Sequence, residues 1–349
     1  MEYVKSVARS VLEVVRPEEW VLSLVLLTVF LLCISSFTGF DFIPVFREYV
    51  GYFSSYFFAF LVLSRGVVWI RISWVPETRF GQWVYSILGG SIEQQGGLLK
   101  TDIEFLRGAT LLLISLTFYS NIKTRIPFIA GERYDEAYLA MDHALFGQEA
   151  SEWIITTVSK SPWLIEWLQS IYLHGYKFMV ILVLFLFVRF DRFELRWLFT
   201  SVCFTYLIGI LITILYPSMG PVYVEPGAFE WLQGTDIKKV QDNLWEFMTS
   251  SVQAIGNGES FQVRAFAGIA AFPSLHIAHM VILIVVAART IRWYAYFLMF
   301  VSFCTFVATI AFGWHYIVCA VGGFLLAVIV TEGLYWLLPR EAGARENAT

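Results

Sequence analysis

The chain contains five histidines, His143, His174, His276, His279 and His315, and two of them open long apolar runs. The first run is introduced by Ala271-Phe272-Pro273-Ser274-Leu275-His276. Pro273 suits the first turn of a helix, where a missing N–H costs nothing. Ser274 and the free N–H groups of that turn then form an anion site, with His276 just inside it. The second run begins Ala311-Phe312-Gly313-Trp314-His315-Tyr316-Ile317-Val318-Cys319. His315 opens that helix, and Cys319 falls one turn later on the same face. Two imidazoles beside a helix-start anion site suit phosphoryl transfer. One attacks phosphorus as a nucleophile, and the other hands a proton to the leaving oxygen.

The elements that position these residues are membrane spans. Of 349 residues, 58% are apolar, 18% aromatic and only 15% charged, against about 25% charge in an ordinary soluble domain. Too few polar side chains exist to cover a water-facing surface, which excludes a soluble enzyme and a disordered chain. The net charge of −4 excludes a basic field for nucleic acid. The four cysteines lie in apolar runs, so no disulfide framework is expected. Stretches of about 20 apolar residues predict eight spans, at 20–37, 52–70, 104–120, 164–188, 195–216, 273–290, 293–312 and 315–338. Residues 6–15 read either as a short interfacial helix or simply as a solvated start to the first span.

Orientation follows from the bases in the short loops and flanks. Arg189, Arg192 and Arg196, then Arg289 and Arg292, fall on one side with Lys5, Arg9, Arg16 and Arg340. Both termini are therefore expected in the cytoplasm. The connections 121–163 and 217–272 and the turn before His315 face the opposite side, periplasmic, extracellular or lumenal. The residues suited to chemistry gather on that outer face.

These segments resemble the type 2 phosphatidic acid phosphatase superfamily, and within it the inositol phosphorylceramide synthase-like branch. The resemblance rests on Phe272-Pro273-Ser274-Leu275-His276, on His315-Tyr316, and on Arg133-Tyr134-Asp135 with Asp142 and Leu145-Phe146-Gly147. The stretch Tyr216-Pro217-Ser218-Met219-Gly220-Pro221-Val222-Tyr223 adds to it. It implies an all-α polytopic membrane fold with a six-helix catalytic core at 104–338. Residues 1–103 then carry two added spans, and 339–349 form a cytoplasmic tail.

The resemblance also implies roles. His315 is the nucleophile that becomes phosphorylated and His276 the general acid. Ser274 and its neighbouring N–H groups hold the phosphate, and Lys123 with Arg125 supplies the positive charge of a degenerate first motif. Arg264 joins them by its nearness to the second motif. Asp135 and Tyr316 are counted as substrate contacts, although Arg133 and Asp135 also read as an ordinary loop ion pair. No metal or other cofactor is implied. The expected partners are a lipid phosphate or phospholipid donor, a lipid or glycan hydroxyl acceptor, and the bilayer.

Two positions depart from the family pattern. Thr309 stands where many relatives carry Arg, a loss shared with the synthase-like branch. Cys319 stands where the family has an Asp that orients the nucleophilic imidazole, a role comparable to the Asp of a Ser-His-Asp triad. A thiol accepts only a weak hydrogen bond. Four readings follow: a carboxylate from elsewhere, Asp135 or Asp142, substitutes; the enzyme is slow; the residue is engineered; or catalysis is lost and lipid binding kept. The functional expectation is a lipid phosphotransferase acting through a phosphohistidine. A lipid or polyprenyl phosphate phosphatase and a catalytically impaired lipid-binding protein are its alternatives. A haem protein using paired helix histidines is a further class. His279 reads as a pocket or core residue rather than half of a zinc pair, His174 with Lys177 as cavity-lining or snorkelling to an interface, and His143 as a loop residue.

Overall fold

The computed structural model describes residues 16–19, 21–22, 41–73, 95–147, 149–189 and 191–339. The segment at 6–15, most of the first span at 20–37 and nearly all of the tail at 339–349 lie outside the described residues. Among the described residues every regular element is helical. The helices are α1 (Phe42–Ser73), α2 (Gln95–Ile129), α3 (Asp135–Phe146), α4 (Glu149–Ser159), α5 (Pro162–His174) and α6 (Tyr176–Val188). There follow α7 (Arg192–Leu215), the short α8 (Pro221–Val224), α9 (Asp236–Gly256), α10 (Leu275–Thr290), α11 (Arg292–Ala311) and α12 (Ile317–Leu337).

Among the described residues, four stretches are long and apolar enough to cross a membrane: Thr101–Ile129, Arg192–Leu215, Arg292–Ala311 and Ile317–Leu337. The span expected at 164–188 is the pair α5 and α6, bent by 51°. Helix α10 has 16 residues, a rise of about 24 Å, short of the roughly 30 Å hydrocarbon core. It starts at Leu275, with Ser274 as N-cap. Pro273 thus precedes the cap rather than occupying the first turn. The chain is an all-α integral membrane protein.

Lipid tails are as apolar as Leu, so helices in a membrane associate through close packing rather than the hydrophobic effect. Glycines supply the closeness. A Cβ on Gly108 of α2 would fall 2.2 Å from the Phe199 ring of α7, and one on Gly209 of α7 would fall 2.7 Å from Leu275 of α10. Helices α7 and α10 are the central pair, packing on each other and both on α12, with α2 against α7 and α11 against α10. Trp197, fully buried in α7, donates its indole N–H to Thr331 O of α12 at 2.7 Å.

The two ends of the bundle differ in chemistry. At one end Glu104 and Arg107, charges inside the expected third span, are paired. Arg16 donates to Glu104 at 2.7 Å, and Arg107 to Glu19 at 2.7 Å. Arg289 forks onto Glu332 there at 2.7 and 2.6 Å. Pairing is how a span tolerates ionisable groups. The other end gathers the last turns of α2, α7 and α11 and the first turns of α10 and α12, tied by the loops at 216–223 and 266–274.

Candidate active site

Helix α11 ends where Gly313 takes φ +68°, a left-handed conformation that closes a helix C-terminus at low cost for glycine. The reversal brings the N–H groups of Trp314 and His315 onto Thr309 O at 3.0 and 3.2 Å. The position lacking the expected Arg thus uses its backbone to hold the turn. Two residues after His315, α12 starts. Asp142 of α3 caps it, accepting from Ile317 N at 2.7 Å and Val318 N at 2.8 Å. A carboxylate there satisfies two orphan donors and sits favourably in the helix dipole.

His315 is buried, and its Nδ1 lies 2.6 Å from Ala271 O. A carbonyl only accepts, so Nδ1 carries the proton and Nε2 keeps its lone pair. Burial, with the Lys123 charge nearby, lowers this imidazole to about 4, and it is neutral at pH 7. The Ala271 carbonyl is itself pinned. Ala271 N donates to Ser218 O at 3.0 Å, Phe272 N to Ser218 Oγ at 3.0 Å, and Thr213 Oγ1 to Phe272 O at 2.8 Å.

His276 lies on the first turn of α10, exposed, with its ring centroid 5.7 Å from that of His315 and the planes at 67°. That separation lets one tetrahedral group meet both rings. Its Nδ1 is 3.3 Å from the Tyr172 hydroxyl, and the two rings stack at 4.4 Å. Lys123, near the end of α2, bears electrostatically on both imidazoles. Its ammonium sits 5.6 Å over the Tyr119 ring and has no ion-pair partner among the described residues. Ser274 is fully buried. Its N–H donates to Cys319 O at 2.9 Å, and its Oγ has no hydrogen-bond partner among the described residues.

The remaining sequence candidates lie elsewhere. Arg125 is buried against α2's own Asn121, donating to its carbonyl at 2.9 Å, with Asp41 4.0 Å away. Arg264 is exposed, 5.7 Å over the Phe247 ring of α9. Asp135 accepts from Met219 N and Gly220 N, each at 3.0 Å, and from the Tyr316 hydroxyl at 3.1 Å. These two residues brace the 216–223 loop, while Arg133 turns to Met219 Sδ rather than to Asp135. The Cys319 side chain faces Tyr138, Ala271 and Tyr316. His279 is buried at both ring nitrogens, His174 is exposed at the α5–α6 bend, and His143 lies on α3.

The profile of the PAP2 superfamily, the type 2 phosphatidic acid phosphatases, matches residues 137–332. This chain belongs to the PAP2 superfamily. Both histidines and the Asp142 cap fall inside the match, whereas Lys123 and Asp135 precede it. No curated protein and no solved structure matches the chain. Membership supports a phosphatase- or phosphotransferase-type activity for this PAP2 protein. Sequence reasoning passed over two of its contacts. Tyr172 lies inside an apolar run beside the more conspicuous His174, and the Ala271 carbonyl is a backbone group that carries no residue-type signal.

Proposed function

We propose that this PAP2 protein is a membrane lipid phosphotransferase working through a phosphohistidine on His315. The observation that carries the reading is the Ala271 carbonyl 2.6 Å from His315 Nδ1, which leaves a neutral ring with a nucleophilic Nε2. The His315 Nε2–phosphorus bond forms as the ester P–O bond breaks, and the leaving oxygen takes a proton from His276 Nε2. In the second step an acceptor hydroxyl gives its proton back to His276 while its oxygen attacks phosphorus and the N–P bond breaks. Lys123, the Ser274 hydroxyl and the open N–H groups of the α10 first turn balance the phosphoryl charge.

A lipid substrate suits the surroundings. A groove of about 390 Å³ runs between α10, α11 and α12. It is lined by Ile277, next to His276, and by Val281, Phe303, Ala320 and Phe324. Because α10 is short, its first turn falls at the membrane interface. The arginine-rich end lies opposite, in keeping with cytoplasmic termini and a site on the outer face. The synthase-like motifs favour a lipid or glycan hydroxyl as acceptor over water; with water the same intermediate makes the protein a lipid phosphate phosphatase.

The test is covalent labelling of the purified full-length protein with a lipid phosphate carrying radioactive phosphorus. Wild type should carry acid-labile, base-stable label. His315→Ala should carry none, and His276→Ala should slow turnover more than binding. Undiminished label on His315→Ala would remove the nucleophile assignment. Supplying alcohols and reading transfer against free phosphate separates transferase from phosphatase.

A further inference from the structure

The two imidazoles differ in the chemistry of their Nδ1 partners. His315 faces a carbonyl, which only accepts. His276 faces the hydroxyl of Tyr172, which both accepts and donates. Tyr172 is buried in the last turn of α5, and its hydroxyl has no other hydrogen-bond partner among the described residues. Its ring stacks on His276 at 4.4 Å and 29°, and lies parallel to Trp314, the neighbour of His315, at 5.8 Å and 12°. The imidazole is therefore held by a ring face and by one hydrogen bond at Nδ1, which leaves Nε2 to meet the reacting oxygens.

We propose that Tyr172 is a positioning residue for the acid–base work of His276, an assignment that rests on the phosphoryl-transfer reading above. In the imidazolium, Nδ1–H donates to the Tyr172 oxygen and Nε2–H faces the leaving oxygen. When that oxygen takes the Nε2 proton, the other proton stays on Nδ1, held by the hydroxyl. Nε2 then carries the lone pair that the second step needs to take the acceptor's proton. One ring nitrogen shuttles and the other is fixed. In the neutral ring Nδ1–H goes on donating to the hydroxyl oxygen, so the contact persists in both protonation states.

Leaving-group dependence separates this role from simple packing. A nitrophenyl phosphate expels a stable phenolate without protonation, whereas a dialkylglycerol phosphate requires the acid. With the full-length protein in detergent, Tyr172→Phe should lower kcat on the dialkylglycerol phosphate about tenfold or more, with KM unchanged. The single-turnover burst of nitrophenolate, which reports phosphorylation of His315 alone and needs no acid, should stay within about twofold of wild type. Tyr172→Phe keeps the ring and its stack, and the thermal unfolding midpoint should match wild type. Tyr172→Ala, which also removes the stack, should slow the alkyl ester further. Equal slowing of the alkyl ester and of the nitrophenolate burst, or of neither, by Tyr172→Phe would overturn the positioning role. Failure of the wild-type protein to cleave either ester would instead remove the phosphoryl-transfer reading, and this proposal with it.

Discussion

Nδ1 of His315 lies 2.6 Å from the carbonyl oxygen of Ala271, 44 residues earlier in the chain. A backbone group thus takes the orienting role that the resemblance led us to expect of a carboxylate at position 319. The two partners share one function, to keep the ring proton on Nδ1, and differ in another. A carboxylate also stabilises the cation that forms when the ring is phosphorylated; a carbonyl offers only its dipole. In the proposed reaction the neutral ring of His315 is well defined as a nucleophile, and the charged intermediate would rely more on neutralisation of Lys123 by the bound phosphoryl group. Neither Asp135 nor Asp142 fills the gap. Their oxygens are committed to the backbone of Met219 and Gly220 and of Ile317 and Val318.

This geometry fixes an NMR signature. With ¹⁵N-labelled histidine rings, His315 should show a protonated Nδ1 and a lone pair on Nε2 throughout the neutral range. Burial lowers the ring from 6.5 to about 4, so the neutral form should persist on acidification until pH approaches 4. The unfolded chain binds that proton first, and stability should therefore fall as pH drops from 6.5 toward 4. A midpoint near 6.5, or a proton on Nε2, would contradict the Ala271 contact.

Restoring the family residue should not help. The Cys319 side chain is fully buried among Tyr138, Ala271 and Tyr316, and the charges of Asp142 and Asp135 reach it. Cys319→Asp would add a third carboxylate with no donor waiting for it, at a cost of about 3–5 kcal/mol for an uncompensated buried charge. The expected outcome is a lower unfolding midpoint and no gain in turnover, while Cys319→Ser stays near wild type. A large rise in turnover for Cys319→Asp would show that the carbonyl orients His315 poorly.

The histidine pair was legible because a helix start announces itself in residue types: Pro-Ser before His276, and Gly313 before His315. The long apolar helices were legible for the same kind of reason. What escaped depends on tertiary geometry. Every residue owns a carbonyl, and only the Ser218 and Thr213 contacts select that of Ala271. Tyr172 in an apolar run reads as an interfacial aromatic until His276 is packed against it. Helix α1 starts at Phe42, ten residues before the expected span, because Asp41 is anchored from afar. It donates its N–H to Asn121 and accepts from Val263 N, each at 2.9 Å. Arg125 is the converse case: its charge suggested phosphate, and the fold uses it beside Asp41 and Asn121.

Asp142 should matter to both stability and chemistry. It is buried, and both its oxygens accept from the first turn of α12, two residues after His315. Asp142→Ala should lower unfolding free energy by about 2 kcal/mol, the upper range for a lost cap, and should reduce His315 labelling as the turn loosens. Asp142→Asn retains one acceptor and should lose roughly half as much. Denaturant titration beside labelling reads both, and an unaffected Asp142→Ala would mean the cap is idle.

Helix α10 approaches α12 closely at Gly323. A Cβ on Gly323 would lie 2.1 Å from Ser274 O, a backbone atom that cannot rotate away. On the same helix, a Cβ on Gly333 would have nothing within 4 Å. The two glycines share sequence context in an apolar span, yet only one is a contact. Gly323→Ala must push the start of α10 outward, lengthening the Ser274 N to Cys319 O bond of 2.9 Å and widening the His276–His315 gap. Overpacking of this kind costs about 1–3 kcal/mol, and turnover should fall more steeply than stability because the proposed reaction needs His315 at phosphorus and His276 at its leaving oxygen together. Gly333→Ala should leave both unchanged, or slightly raise stability, since alanine favours a helix over glycine by about 1 kcal/mol. Thermal unfolding and turnover measured on the two variants side by side decide the matter. Equal behaviour of the pair would mean that α10 and α12 do not meet at this spacing.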